Sequence, residues 1–592
     1  MGKLFLFLVL IANGLIAQDG VLPRIHSHND YLQNVPFWKA YAAGASSIEA
    51  DVFLVGDSLF VAHAEEEIDV KRSLERLYFE PLQEALALGL NRPKKLQLLI
   101  DVKSEPYATL DAIIQVLDRY PSIRGDDGIT VAISGNRPKP TEYLNYPDYI
   151  FFDYQSLDVV EDSAILEKIA LISLSFRNFS EWNGKGRLTA QDLEKVLATI
   201  EKAHALGKPF RFWATPDSKT AWKAFSDLGV DFVNTDMPFE CTQYINTLPD
   251  RYYQNTKFSE VYHPTFATDG TNQAVENIIL MIGDGNGLAQ ISATAMANKG
   301  ALSLTQLKNM GLLKTQSADD FTTDSAGAGT ALATGKKVPN RAIGNDSQGN
   351  PLENITELLA KKGFVSGIIT TDEISGATPS SFYAHRQDRS MSEGIMDDFA
   401  KSPLTLFIST ENPNNRHENS TGDFSMLSAV DEVGKSKKDK IGFLMPGKIA
   451  SGGNNELAKA TDNALRFFEN THKPFFLMVE GAKIDSYGHE NDIGGIISEG
   501  IGFDKAITEA LKFADQNSNT LVIITADHET GGLTLPQGNL ERNEIEGDFT
   551  THDHTALMVP IFAYGPQSNQ FQGVYENSEV FHKILKVLKV QE

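Results

Sequence analysis

The sequence predicts an α/β protein in two parts: an N-terminal (β/α)8 barrel, then a C-terminal α/β/α sandwich built on a mostly parallel sheet. Three observations predict it. Between Arg24 and Glu240, eight short apolar runs alternate with stretches able to form a helix, the pattern of a closed parallel barrel. From Val275 onward, longer apolar runs end in acidic residues, as strands covered on both faces do. In both halves the polar residues collect at the carboxyl ends of these runs, where α/β folds bind their ligands. The 592 residues exceed the ~150 typical of one domain.

The chain opens with MGKLFLFLVLIANGLIAQ. Lys3 precedes an apolar run from Leu4 to Ile11, and Ala17 ends a cleavage-like site. Residues 1–17 therefore read as a secretory signal peptide, too short in its apolar part for a membrane span. A periplasmic or secreted location is expected, with no transmembrane anchor. Residues 18–240 form the expected barrel, with strands in RIHSHND, SSIEADV, LQLLIDV, ITVAIS, YIFFDY, ALISLSF, PFRFWAT and DFVNTD. FVAHA adds a short strand inside the second unit. Residues 241–274 lack a clear pattern and read as a linker. Residues 275–592 form the second domain, with strands in NIILMIGDG, FVSGIITTDE, PFFLMVEGAKID and NTLVIITADHE.

Cys241 is the lone cysteine, so no internal disulfide forms. The net charge of −25 argues against nucleic acid as a partner. It fits acidic metal sites and an acidic surface equally. The oligomeric state stays open.

In the second half, TTDSAGAGTALATG places Ser325 just behind Asp324. Asp324 is a good helix N-cap, and a serine in the first turn faces free amides that attract anions. Alone, this segment reads equally well as a tightly packed helix. The strand ends decide between the two, because they carry Asp284, Glu480, Asp485, His489, Asp527 and His528, with His554 further on. Carboxylates mixed with imidazoles suit zinc, and an oxygen-rich subsite suits magnesium.

In the first half, His28, Asn29, Glu49, Asp51, His63 and Asp101 should converge at the barrel mouth. Glu49 and Asp51, two apart on one strand, point the same way. With Asn29 and Asp101 they offer oxygens to calcium or magnesium. His28 and His63 can act as base and acid on a phosphodiester, and Lys103 can neutralise phosphate. Singly, each histidine reads as a loop residue making a hydrogen bond.

DSAGAGTALATG, MIGDGNG, ATPSSFYAHRQDR, VEGAKIDSYGH, TADHE and HDHTA, in this order, resemble the alkaline phosphatase family from about Asn277 to Pro566. The resemblance implies that Ser325 is the nucleophile of a phosphoserine mechanism. It implies one zinc on Asp485, His489 and His554 and a second on Asp284, Asp527 and His528. Asp284, Thr378 and Glu480 would hold magnesium, and Arg389 would clamp two phosphate oxygens. Gly376 departs from the family, which usually places Asp or His there in water-mediated contact with magnesium. A weak third metal site is therefore expected. Ser486 and Thr555-Ala556 are smaller departures. The Pro-Arg context of a sulfatase is absent around Ser325.

GASSIEADVFLVGDSLFVAH and LGVDFVNTDMP resemble the superfamily of glycerophosphodiester phosphodiesterases and phosphatidylinositol-type phospholipases C, over about Arg24 to Pro238. That implies metal-assisted cleavage of a phosphodiester, through a cyclic phosphate where a neighbouring hydroxyl exists. Asn29 matches the phospholipase C branch, and Asp101 stands where Glu is common. Small phosphodiesters and phosphomonoesters are thus the expected substrates of a bifunctional enzyme serving phosphate scavenging. The rival reading makes the barrel a non-catalytic module that binds headgroups or surfaces.

Overall fold

The computed structural model describes residues 22–90, 93–126, 128–411, 421–446 and 455–591. The expected signal peptide lies outside the described residues. The chain divides into two compact units between Pro249 and Asp250. No helix among the described residues is long and apolar enough to cross a membrane.

The first unit is a barrel of β1 (Arg24–Ser27), β2 (Ser47–Val55), β3 (Ser58–Val61), β4 (Leu96–Val102), β5 (Ile129–Gly135), β6 (Ile150–Tyr154), β7 (Ile169–Ser175), β8 (Phe210–Trp213) and β9 (Phe232–Thr235). The sheet runs β1-β9-β8-β7-β6-β5-β4-β2-β3, and a β1–β2 pairing closes it. Eight parallel strands make the ring. β3 is an antiparallel appendage hairpinned onto β2. Leu99, Ala132, Leu171 and Phe232, from four different strands, pack together in the interior, as barrel layers do. The parallel register sets Asp51 beside Asp101 and Ser27 beside Thr235. These pairings bring distant polar residues to one rim.

The second unit holds a ten-stranded sheet. Its order is Ser425–Met426, Ile441–Met445, Leu406–Thr410, Val365–Thr370, Phe475–Gly481, Asn277–Gly283, Thr520–Ala526, Val559–Tyr564, Asn309–Lys314 and Gly573–Glu576. The four strands expected from the sequence lie side by side at its centre, all parallel. Val559–Tyr564 runs antiparallel to both of its neighbours. Ile279 and Met281 face one apolar core, while Ile278, Leu280 and Ile282 face the other. Both faces are therefore covered, which explains the unbroken apolar runs.

The segment read as a linker begins instead as a helix, Pro238–Arg251. Cys241, Tyr244, Ile245 and Leu248 form its buried stripe, at the spacing of one helical face. Pro249 in the last turn disguises that stripe. Tyr252–Gln254 then pairs with Glu544–Glu546. Within the segment read as a linker, regular secondary structure is absent from Asn255 onward.

Candidate active sites

In the second unit, helix Ser325–Thr334 is buried along its whole length. Asp324 caps it, accepting a hydrogen bond from the Gly327 amide at 2.9 Å. A Cβ on Gly329 would come 3.0 Å from Ser381 Oγ, so a small residue there lets the neighbouring segment approach. The other oxygen of Asp324 accepts from Arg389 Nη1 at 3.1 Å. One carboxylate thus fixes both the serine's helix and the arginine.

Ser325 Oγ lies 3.2 Å from His528 Nε2. Asp284, Asp527 and His528 bring their ligand atoms within 4.8 Å of one another, and so do Asp485, His489 and His554. Parallel strands explain the first group, since Asp284 and Asp527 directly follow neighbouring strands of the sheet. In the second group, Asp485 and His489 sit one turn apart on helix Lys483–Glu490. His554 arrives on a two-residue strand paired with Glu529–Thr530. Glu480 ends the strand next to Asn277–Gly283, and the Thr370 hydroxyl donates to it.

These donor sets fit metal ions. His489 Nδ1 meets the His552 carbonyl at 2.5 Å, and His554 Nδ1 meets the Thr323 carbonyl at 2.8 Å. With Nδ1–H donating, both Nε2 atoms are left as acceptors, yet they face each other at 3.1 Å. A cation between them removes the conflict. Asp284 Oδ1, Asp527 Oδ2 and Thr378 Oγ1 are buried without a hydrogen-bond partner, each an omission costing about 1–3 kcal/mol unless a ligand meets it. Burial, then the Asp527 charge, pushes Asp284 well above the usual carboxylate range. Burial and then the Asp485 charge raise Asp527. Burial alone would raise Asp485 too, but hydrogen bonds from His489 and His554 pull it down. Burial, then the nearby His554 charge, lowers the His528 imidazole to about 3, which keeps it neutral.

In the barrel, Glu49, Asp51 and Asp101 bring oxygens within 4.8 Å of one another. Glu49 and Asp101 border a cavity of about 390 Å³ that is also lined by His28, Asn29, His63, Lys103, Arg211 and Trp213. Asp51 Oδ1 is buried without a hydrogen-bond partner. Burial, then the Glu49 charge, raises Asp51, and the same causes push Asp101 up to about 6. An all-oxygen donor set of this kind suits a hard cation. Lys103 Nζ lies 3.0 Å from Asp51 and 3.1 Å from Asp101, so it neutralises the carboxylates as well as facing the cavity. Asn29 adopts a left-handed backbone with φ 46° and meets the Tyr31 hydroxyl at 2.9 Å. That hydroxyl also lies 2.8 Å from Asp51. His63 Nδ1 is 3.1 Å from Asp51 Oδ2.

In the barrel, Asp236, Arg211 and His26 enter the site, as Tyr31 does, without having been singled out in the sequence. Asp236 meets His28 Nδ1 at 2.7 Å. Burial pulls the His28 imidazole down, but Asp236 and the Glu49 charge outweigh it and the net shift is upward. Arg211, deep in the barrel, donates to Glu49 at 2.9 Å and to Asn234 at 3.1 Å. His26 is buried and meets Glu49 at 2.8 Å. It steadies a carboxylate, while its neighbour His28 faces the cavity.

Comparison with known proteins finds similarity in both halves. The alkaline phosphatase family model matches residues 275–415, 440–546 and 541–590. Residues 16–97 match an AIM6-like phosphodiesterase domain, and residues 209–238 match the glycerophosphoryl diester phosphodiesterase family. Alkaline phosphatase 4 of Bacillus subtilis (strain 168) is 30% identical over 411 residues, covering 53% of this chain and 89% of that protein. Alkaline phosphatase of Escherichia coli (strain K12) is 27% identical over 419 residues, covering 54% and 87%. The structure of alkaline phosphatase from the Antarctic bacterium TAB5 is similar at 38% identity and a TM-score of 0.51, covering 54% of this chain and 100% of that one.

Proposed function

The chain belongs, through its C-terminal half, to the alkaline phosphatase family, and from that premise we propose a two-step phosphoesterase. The barrel opens a phosphodiester, such as a glycerophosphodiester, and the second unit frees phosphate from the resulting monoester. The observation that carries the reading is Ser325 Oγ at a capped helix start, 3.2 Å from His528 and among two groups of candidate metal ligands.

In the second unit, Ser325 Oγ attacks phosphorus, the alcohol departs, and a phosphoserine forms that water then hydrolyses. Arg389 leaves Asp324 to grip two non-bridging oxygens. The helix amides favour the same negative charge. Asp485, His489 and His554 would hold one zinc, and Asp284, Asp527 and His528 the other. Such a pair, when bound, supplies Lewis-acid stabilisation of the attacking and leaving oxygens. Asp284, Thr378 and Glu480 would hold magnesium; a mutant of the TAB5 enzyme is known with Mg bound in its M3 site.

In the barrel, Glu49, Asp51, Asp101 and Asn29 would hold calcium or magnesium. His28 Nε2 takes the proton of the attacking nucleophile, either water or a neighbouring substrate hydroxyl whose cyclic phosphate a water then opens to the monoester, and Asp236 stabilises the imidazolium so formed. His63 protonates the departing alcohol. Lys103 and Arg211 place positive charge at the cavity wall. The substrates are small esters, and the chain works outside the cytoplasm, where phosphate scavenging operates.

The test is a panel of phosphodiesters offered to the purified full-length protein, with free phosphate and intermediate monoester both measured. Wild type yields phosphate from a glycerophosphodiester. If no diester is cleaved while aryl monoesters are, the barrel is a binding module.

A further inference from the structure

Gly376 contributes no side chain to the candidate magnesium site, yet its surroundings are already filled. A Cβ at Gly376 would fall 2.4 Å from Asp372 Oδ2. The Asp372 carboxylate thus occupies the space that a side chain at 376 would take. The local backbone explains why. Strand Val365–Thr370 ends just before Asp372, and the turn doubles back with the Gly376 amide donating to the Glu373 carbonyl at 2.9 Å. The Asp372 amide donates to Thr370 Oγ1 at 2.8 Å, and that hydroxyl donates to Glu480. Two hydrogen bonds therefore tie Asp372 to a candidate ligand.

An independent observation points to a ligand here. The Thr378 hydroxyl, 1% exposed, has no hydrogen-bond partner. Lys483 Nζ lies 3.3 Å from Asp372 Oδ1, so a cation already answers this carboxylate from outside.

We propose that Asp372 is the outer carboxylate of a magnesium site on Asp284, Thr378 and Glu480, filling the place that Gly376 leaves, with Lys483 as its competing cation. The inference rests on the reading of those three residues given above. Magnesium dehydrates reluctantly and keeps several waters. A carboxylate one water away is enough to orient that shell. Asp372 is accordingly a positioning residue. The exchange is specific: Gly at 376 permits Asp at 372, and a larger residue at 376 would displace it. On this account the third site is not weak for want of a side chain at 376.

The experiment uses full-length protein stripped with a chelator and reloaded with zinc, into which magnesium chloride is titrated calorimetrically. Zinc content is measured in parallel. Wild type takes up magnesium beyond its zinc. Asp372→Asn, nearly isosteric and partly exposed, weakens magnesium binding by ~10–100-fold, the usual effect of an outer partner, with zinc content unchanged. Lys483→Gln tightens it. Gly376→Asp alone does not tighten it, whereas Gly376→Asp combined with Asp372→Ala restores binding lost in Asp372→Ala. Magnesium binding by Asp372→Asn equal to wild type overturns the proposal, as does a wild type that takes up no magnesium. Ser325→Ala keeps the two readings apart: it should bind magnesium normally while releasing no phosphate. Phosphate release by that variant would sink the phosphatase mechanism and leave the titration standing.

Discussion

The barrel keeps the histidines proposed as its base and acid near solvent, with side chains 26% exposed for His28 and 59% for His63. The second unit buries His528 completely. The environments differ in kind as well as depth. His28 has a carboxylate on Nδ1 and a net upward shift. His528 is held neutral by burial. Proton transfer needs an imidazole that can gain and lose charge, which requires water or a counter-charge. Metal ligation needs a neutral ring with a free lone pair. Burial separates His528 from His28 in this way, but not every candidate zinc ligand, since the His489 side chain is 39% exposed.

The largest effect that can break this contrast comes from Ser325→Ala. Loss of a covalent nucleophile should cut phosphate release from aryl monoesters by at least ~10³-fold. With a glycerophosphodiester, the variant should stop at the monoester. Near-wild-type turnover would remove the serine from the mechanism.

His28→Ala should lower diester cleavage by ~10²–10⁴-fold, the range for general acid–base catalysis, and leave monoester hydrolysis intact. Mixing it with Ser325→Ala should restore phosphate release, because a diffusing monoester needs no shared chain. Diester hydrolysis by His28→Ala at the wild-type rate would hand the barrel to the binding-module reading.

Asp236→Asn sharpens the contrast with a smaller loss, roughly 10–100-fold, since the imidazole itself remains. Its pH profile is the informative part. Asp236 raises the His28 pKa, so removing the charge lowers it. A base acts when unprotonated, so the acidic limb of kcat/KM for the diester should move to lower pH. A limb that stays in place would leave Asp236 a merely structural contact.

The smallest effect concerns stability of the chelated protein. Burial first, and neighbouring carboxylates second, push Asp527 up to about 7 and Glu480 up to about 8. A folded carboxyl with a raised pKa keeps a proton that the unfolded chain releases, so stability falls as pH rises through the folded value. The gain in melting temperature on adding zinc should therefore grow between about pH 4 and pH 8. A gain that is flat or shrinks with pH would contradict the buried-carboxylate account.

Much of this was legible in sequence because apolar runs and the residues ending them are local features. All eight barrel strands and the four central strands of the second unit were visible that way, as were the three groups of candidate ligands. Asp236 was not. It stands in DFVNTD as one acid among several, and its partner His28 is 208 residues away. Only closure of the ring through the β1–β9 register makes them neighbours. Asp372 was hidden for a different reason, because the space beside Gly376 is a property of a turn. The outer strands Ile441–Met445 and Val559–Tyr564 end without a marked acid, so nothing drew attention to them. The helix Pro238–Arg251 was readable from its apolar spacing, and Pro249 obscured it.

The β1–β9 pairing also sets a schedule. His28 is made early and Asp236 late, and at ~5–20 residues per second the 208 residues between them take on the order of 10–40 s to synthesise. During that interval β2 and β4 can already bring Glu49, Asp51 and Asp101 together. A growing chain can therefore gather its candidate ligands before the proposed base is oriented. On the proposed roles, diester chemistry would reach its full rate only when the last strand docks and Asp236 meets His28.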